Sequence, residues 1–158
     1  SKASTLEVHE MQYLLSEVKA KDIMTGNPVT VHPEDSIAQV ASLMLEKKIG
    51  GLPVVDETGH LVGVITDQDI FKVFVDISGA RVRGIDITIE CSDEPGTLAY
   101  LLDIILRYNG RIISVLTSFL ESGDRHVFLR MHPLEDPSRA AALRAELEAK
   151  TKILEWVE

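Results

Sequence analysis

Two polar side chains, Thr66 and Asp69, stand where a buried strand is predicted to run directly into a helix. The apolar, β-branched run Leu61–Ile65 predicts the strand, and Thr66 followed by acidic residues is typical of a helix start. Backbone N–H groups at such a helix start can hold a ligand, and an ionised Asp69 would accept hydrogen bonds from hydroxyl groups. The same spacing also forms a capping box without any ligand, so that alternative stays open.

The remaining polar residues predict neither catalysis nor a metal site. The five histidines are scattered, and His126 and His132, which are evenly spaced along one predicted strand, have no carboxylate or thiol beside them to complete a metal site. Cys91 lies in an apolar strand pattern and is predicted to be a buried structural residue. No nucleophile is paired with a base. We therefore expect a protein that is not an enzyme and requires no cofactor.

The composition excludes several classes of protein. A net charge of −9 over 158 residues argues against a nucleic-acid partner, which needs a basic face. No apolar run approaches the roughly 20 residues of a membrane helix. One cysteine cannot form an internal disulfide, so a cytoplasmic location without membrane attachment is expected. The chain begins with Ser1 rather than Met, which is consistent with a piece of a longer protein.

Three segments are predicted along the chain. Residues 1–20 form an N-terminal or linker helix with apolar side chains at helical spacing. Residues 21–79 form a β-α-β-β-α unit that begins with a short strand at Val29–Val31. Residues 83–158 have the order β-α-β-β-α-β of a ferredoxin-like arrangement. The predicted fold class is therefore α+β.

Local signals also predict where helices begin and end. Asp35 or Ser36 is expected to cap the first helix of the 21–79 segment, and the pair Gly50 and Gly51 to end it. Asp136, followed by a proline at the first helical position, is expected to cap the last helix of the chain.

Four motifs follow one another between Lys21 and Ser78. They are Asp22-Ile23-Met24-Thr25, Val29-Thr30-Val31-His32-Pro33, Ile49-Gly50-Gly51-Leu52-Pro53-Val54-Val55-Asp56 and Gly59-His60-Leu61-Val62-Gly63-Val64-Ile65-Thr66-x-x-Asp69-Ile70. This order closely resembles a CBS domain, a family named after cystathionine β-synthase. The resemblance implies that the threonine and aspartate of the last motif hold the ribose of an adenosine-containing ligand, either an adenosine nucleotide or S-adenosylmethionine.

The resemblance also implies that Thr25, Val31 and Pro53 line the adenine slot. At Gly50-Gly51 the chain departs from the family pattern, because many relatives carry a polar or basic side chain there that can meet a phosphate. CBS copies normally work in pairs. We therefore expect this copy to pair with another chain, and the first helix to be either a linker from a lost first copy or a helix that packs on this same domain.

Two further motifs occur in the second half of the chain. They are Asp93-Glu94-Pro95-Gly96-Thr97-Leu98 and Asn109-Gly110-Arg111-Ile112. They resemble an ACT domain, a family that binds amino acids and other small metabolites, usually between copies. The resemblance implies that Asp93 accepts from a ligand amine, that Gly96 lets the ligand approach the backbone, and that Arg111 replaces an asparagine frequent in the family. The alternative is that Asp93 only caps the helix.

A CBS copy followed by an ACT domain resembles the acetoin-utilisation regulatory proteins of bacteria. We therefore expect a non-catalytic regulatory module that senses an adenosine-containing ligand through its CBS part and an amino acid or small metabolite through its ACT part. The alternative is a structural dimerisation module without a ligand. In both cases a homodimer is expected, in which CBS meets CBS and ACT meets ACT.

Overall fold

Helices and strands alternate along most of the chain, as expected from apolar residues that recur at helical spacing in some segments and at every second position in others. The structure, a computed structural model, describes residues 3–19 and 24–158 and has a mixed α+β fold. It divides into two units, Ser1–Asp67 and Gln68–Glu158. This division falls inside the predicted segment 21–79, whose limits remain a prediction.

Within its described residues, the first unit contains two helices and a two-stranded antiparallel sheet. The helices are α1 (Ala3–Glu17) and α2 (Ile37–Lys47), and the strands are β1 (Gly51–Val55) and β2 (Leu61–Thr66). Of the strand predicted at Val29–Val31, only Val31 pairs, through an isolated parallel bridge to β1. Among the residues of this unit whose burial is described, few apolar side chains are buried, which fits a segment too small to build a full core alone. They are Val31, Val40, Met44 and Leu52.

The helix α2 begins after a residue that caps it with its side chain, and it ends at a residue with a left-handed backbone conformation. The Ser36 hydroxyl accepts a hydrogen bond from the Gln39 backbone N–H at 3.3 Å, and the Gln39 side chain accepts one from the Ser36 backbone N–H at 3.0 Å. Of the two predicted caps, Ser36 is therefore the residue used. The prediction that Gly50 ends this helix is wrong, because Lys48 is already left-handed, with φ 56°.

The second unit is built on a four-stranded antiparallel sheet. Its elements are α3 (Asp67–Ser78), β3 (Ile85–Ser92), α4 (Thr97–Arg107), β4 (Ile112–Phe119), β5 (Asp124–Met131), α5 (Pro137–Lys150) and β6 (Lys152–Val157). The strands lie in the order β4-β5-β3-β6. From β3 onward the element order is the predicted β-α-β-β-α-β. The sequence predicts the helix α3 from Asp67 to about Val75, and the structure extends it to Ser78.

The core of the second unit lies between one face of this sheet and the helices α4 and α5. Ile85, Ile87 and Ile89 alternate with polar residues in the sequence, which predicts a half-buried strand, and all three are buried on β3. Buried residues from the other elements complete the core: Leu101, Ile104, Ile105, Val127, Leu129, Met131, Leu143 and Leu147. Asp136 caps α5 by accepting from the Ser138 backbone N–H at 2.9 Å, with Pro137 at the first helical position, as predicted.

Candidate functional site

Main-chain pairing in the first unit joins two of the residues predicted for the adenine slot. The Val31 N–H donates to the Pro53 carbonyl at 3.1 Å, and the Val55 N–H donates to the Val31 carbonyl at 2.9 Å. Val31 is buried, and Pro53 is half-buried. These two residues therefore lie on neighbouring chain segments. Thr25, the third residue predicted for the slot, is exposed.

Thr66 is the last residue of β2 and lies at the end of the small sheet where β1 begins. In the antiparallel register it lies opposite Gly51, and Val64 lies opposite Pro53. The next residue, Asp67, donates its backbone N–H to the Gly50 carbonyl at 3.0 Å. Thr66 is half-buried at the end of its strand. The pairing of β1 with β2 thus brings Thr66 next to the glycine pair.

Space beside Gly50 is occupied by a carboxylate. A Cβ built on Gly50 would lie 3.3 Å from Asp67 Oδ2. The glycine pair itself offers only backbone groups, and its nearest ionisable neighbour among these contacts is acidic. Because Gly50 has no side chain, the charge that these contacts place beside it is the negative charge of Asp67.

Asp69 lies in the first turn of α3 and is half-buried. The Lys72 Nζ donates to Asp69 Oδ1 at 3.2 Å, so the carboxylate has a cationic neighbour one turn along the helix. The Lys72 side chain is 69% exposed, so solvent screens this pair and it holds the carboxylate only weakly. An incoming hydroxyl can compete for an oxygen that is held in this way.

The loop after β3 holds Asp93 and Gly96, two of the residues predicted for the second ligand. Gly96 is the N-terminal boundary residue of α4, has φ +92°, and makes no side-chain cap. Nothing lies within 4 Å of a Cβ built there, so this glycine is required by its backbone angle and not by close packing. Asp93 does not cap the helix. It forms an ion pair with Arg125, a residue that the sequence analysis did not single out.

Arg125 has three neighbours in the second unit. It lies opposite Cys91 in the sheet register, its guanidinium lies 5.2 Å from the centre of the Phe119 ring, and it pairs with Asp93. Its Nε is buried without a hydrogen-bond partner in the described structure. The negative charge of Asp93 could have suggested a cationic partner, but the sequence does not show which of several arginines lies opposite the loop.

Arg111 lies at the other end of the same sheet. It precedes Ile112, which pairs with Met131, whereas Asp93 follows Ser92, which pairs with Asp124. The length of β5 separates these two pairs, roughly 23 Å at 3.3 Å per residue. The structure therefore brings Asp93 and Gly96 together and does not bring Arg111 to them.

The other residues considered for chemistry are Cys91, His126 and His132, and each lies among structural contacts. Burial raises the pKa of the Cys91 thiol, so the unreactive protonated form is favoured. The His126 Nε2 lies 3.5 Å from Glu90 Oε2, so the expectation that no carboxylate lies beside these histidines is wrong for His126. His132 follows the end of β5 and donates its backbone N–H to the Arg111 carbonyl at 2.8 Å. Among the described residues, no group of three histidine, cysteine or acidic side chains could hold a metal ion. None of the described helices is both long and apolar enough to cross a membrane.

The family comparison agrees with the four motifs that lie between Lys21 and Ser78. Residues 20–76 match the family model described as the CBS domain. The first four of these residues lie outside the described part of the chain. The chain thus contains a CBS domain, as predicted, and the match includes Thr25, Val31, Pro53, Thr66 and Asp69.

Curated relatives match only part of this chain. The inosine-5′-monophosphate dehydrogenase of Korarchaeum cryptofilum is 47% identical over 51 residues, which are 32% of this chain and 11% of that protein. The chain spans between 10% and 41% of the length of the curated relatives that it matches. The names of such relatives belong to whole proteins, of which this chain matches a minor part.

Two solved proteins are also similar. CBSX2, solved in complex with AMP, is 32% identical, with a TM-score of 0.37, over 49% of this chain and 60% of that chain. The CBS domain pair of protein MJ0100, solved with 5-methylthioadenosine and S-adenosyl-L-methionine, is 36% identical, with a TM-score of 0.34, over 39% of this chain and 46% of that chain. TM-scores this low do not establish a shared overall fold.

Proposed function

We propose, from the CBS domain in residues 20–76, that this chain is a non-catalytic regulatory module whose CBS part binds an adenosine-containing ligand. Thr66 and Asp69 hold the ribose, and Thr25, Val31 and Pro53 line the adenine slot. The observation that carries the proposal is the family match across all five of these residues. The pairing of Val31 with Pro53 and the position of Thr66 opposite Gly51 support it. The module needs no cofactor and acts in the cytoplasm.

The polar chemistry of the segment suits a ribose. An ionised carboxylate only accepts hydrogen bonds, so Asp69 suits a pair of sugar hydroxyls and repels a phosphate. The Asp67 carboxylate beside Gly50 adds a second negative charge where a relative's basic side chain would be. We therefore propose that adenosine and S-adenosylmethionine bind this chain more tightly than ATP does.

A thermal-shift panel tests the adenosine site. The probes are adenosine, AMP, ADP, ATP, NADH and S-adenosylmethionine. A ligand at 100 times its dissociation constant adds about 2.7 kcal/mol to stability, so binding is easily detected. Asp69→Ala is expected to abolish the shift, because the ribose loses its acceptor.

The matched control is Asp76→Ala, on the same helix. Asp76 is exposed and lies 3.8 Å from Arg81, so its loss changes the charge of α3 equally without touching the proposed site. This variant should keep the shift. No shift with any probe, or equal loss in both variants, would contradict the adenosine proposal.

The ACT part of the chain carries a second proposal, which the exposed loop of Asp93 and Gly96 favours. We propose that residues 83–158 form an ACT domain and that an amino acid or small metabolite binds at this loop, with its amine on Asp93. Gly96 leaves open space beside the backbone, so a ligand can approach closely. Since Asp93 is paired with Arg125, the amine must compete with this guanidinium. Arg111, roughly 23 Å away, takes no part in the same subsite.

Calorimetric titration with the twenty amino acids tests this second site. Asp93→Asn is expected to remove a saturable heat, because it removes the charge that pairs with the amine. Asp103→Asn, on the exposed face of α4 beside Arg107, is the control and should retain the heat. Flat titrations with all twenty amino acids would instead favour the alternative function, a structural module that only dimerises.

A further inference from the structure

A polar cavity of about 470 Å³ lies in the second unit at the end of the sheet opposite Asp93. It lies between the turn that follows α4 and the segment that joins β5 to α5. Three potential cations line it, namely Arg111, His132 and Arg139. We propose that this cavity is an oxyanion site that binds a phosphate or carboxylate group between Arg111 and Arg139.

Arg111 is available for a ligand, and Arg139 is available in part, because its charge also attracts the Asp136 carboxylate. In the described part of the chain neither of them forms an ion pair, unlike Arg107, whose Nη2 lies 2.8 Å from Glu146 Oε1. Both side chains are exposed, so their charges meet solvent at the cavity wall. A guanidinium offers several fixed donors that match the oxygens of a carboxylate or phosphate, and two of them can clamp one anion.

The backbone that carries Arg111 is tightly held. A Cβ on Gly110 would lie 2.9 Å from the Ile105 carbonyl oxygen and would also collide with the Ile105 side chain. The Gly110 N–H donates to that same carbonyl at 3.0 Å, and the His132 N–H donates to the Arg111 carbonyl at 2.8 Å. These contacts fix the turn to the end of β5, so Arg111 starts from a preorganised position.

Arg139 lies in the first turn of α5, where the helix dipole also favours an anion. Two carboxylates line the same cavity, those of Glu135 and Asp136. Asp136 is committed to capping, since its Oδ1 accepts from the Ser138 backbone N–H and hydroxyl. Glu135 is exposed and repels an incoming anion. Removing the Glu135 charge should therefore strengthen anion binding, whereas removing either arginine should weaken it.

Calorimetric titrations with inorganic phosphate and with citrate, at constant ionic strength, test the site and separate the two anion classes. We expect saturable binding of at least one of the two. Arg111→Gln and Arg139→Gln should each weaken it by about tenfold or more, because each removes a charge-assisted hydrogen bond. Glu135→Gln should tighten it.

The control is Arg81→Gln, which changes the net charge equally at an exposed position outside the cavity. It should leave the affinity unchanged, and circular dichroism should show all four variants folded. Absence of saturable binding with both anions would overturn the proposal, as would equal weakening by Arg81→Gln. These probes lack adenosine and an amine, so the outcome is independent of both functions proposed above.

Discussion

The ion pair between Asp93 and Arg125 changes the role expected for Asp93. Asp93 suggested an acceptor for a ligand amine, and the structure gives it a guanidinium instead. The Arg125 side chain is only 19% exposed, and Asp93 is 34% exposed, so solvent screens this pair less than it screens most others on the surface. The pair therefore stabilises the loop when no ligand is present.

Arg125→Ala is expected to lower the free energy of unfolding by about 1–3 kcal/mol, because Asp93 would lose a charge-assisted partner and Phe119 its cation. Urea unfolding followed by circular dichroism measures this loss. Arg144→Ala is the comparison, because Arg144 likewise lies near an aromatic ring, 5.7 Å from the centre of Trp156, whereas its ion pair with Glu148 is about half exposed. That ion pair should contribute about 0.5 kcal/mol or less to the loss. Equal losses would show that the Asp93 pair contributes no more than a surface ion pair.

Between elements, polar contacts join α4 to α5 through Glu146. The Tyr108 hydroxyl donates to Glu146 Oε2 at 2.8 Å, and the Arg107 guanidinium donates to Oε1 at 2.8 Å. The hydrogen bond from Tyr108, followed by that from Arg107, lowers the pKa of Glu146 below its ordinary value of 4.5. Both helices are thereby tied together at the surface above their shared apolar core.

The lowered pKa of Glu146 predicts acid sensitivity. A carboxyl whose pKa is lower in the folded state contributes stability above its unfolded value, and that stability is lost as the pH falls through the folded value. The urea midpoint should therefore fall as the pH decreases below about 4.5, and Glu146→Gln should reduce this fall. Urea titrations at several pH values measure the slope. Glu148→Gln, two residues away on α5, should leave the slope close to that of the parent protein.

For the whole molecule, uncovered apolar side chains favour assembly. On β2, Leu61, Val62 and Val64 are each more than half exposed, and along α3 the same holds for Phe71, Phe74 and Ile77. Exposed apolar groups of this number are typical of surfaces that meet a partner. We propose a homodimer in which CBS meets CBS and ACT meets ACT, because two self-associating parts in one chain reinforce each other.

Light scattering at micromolar concentration should give about twice the chain mass of 17.5 kDa. Val64→Lys, which places a charge on the exposed face of β2, is expected to shift the mass toward the monomer at low concentration, because burying an unpaired ammonium is costly. Lys72→Ala on α3 serves as a surface control. A parent protein that remains monomeric at high concentration would contradict the assembly and any ligand site placed between chains.

Local patterns in the sequence were enough to predict the elements of the second unit and the segment matched by the CBS domain. The alternation of Ile85, Ile87 and Ile89 predicts β3, and Asp136 followed by proline predicts the start of α5, because each signal depends on neighbouring residues only. Only the tertiary structure decided that Arg125 meets Asp93 and that Arg111 lies at the opposite end of the sheet. Strand order and register set those distances, and they depend on packing between residues far apart in the chain.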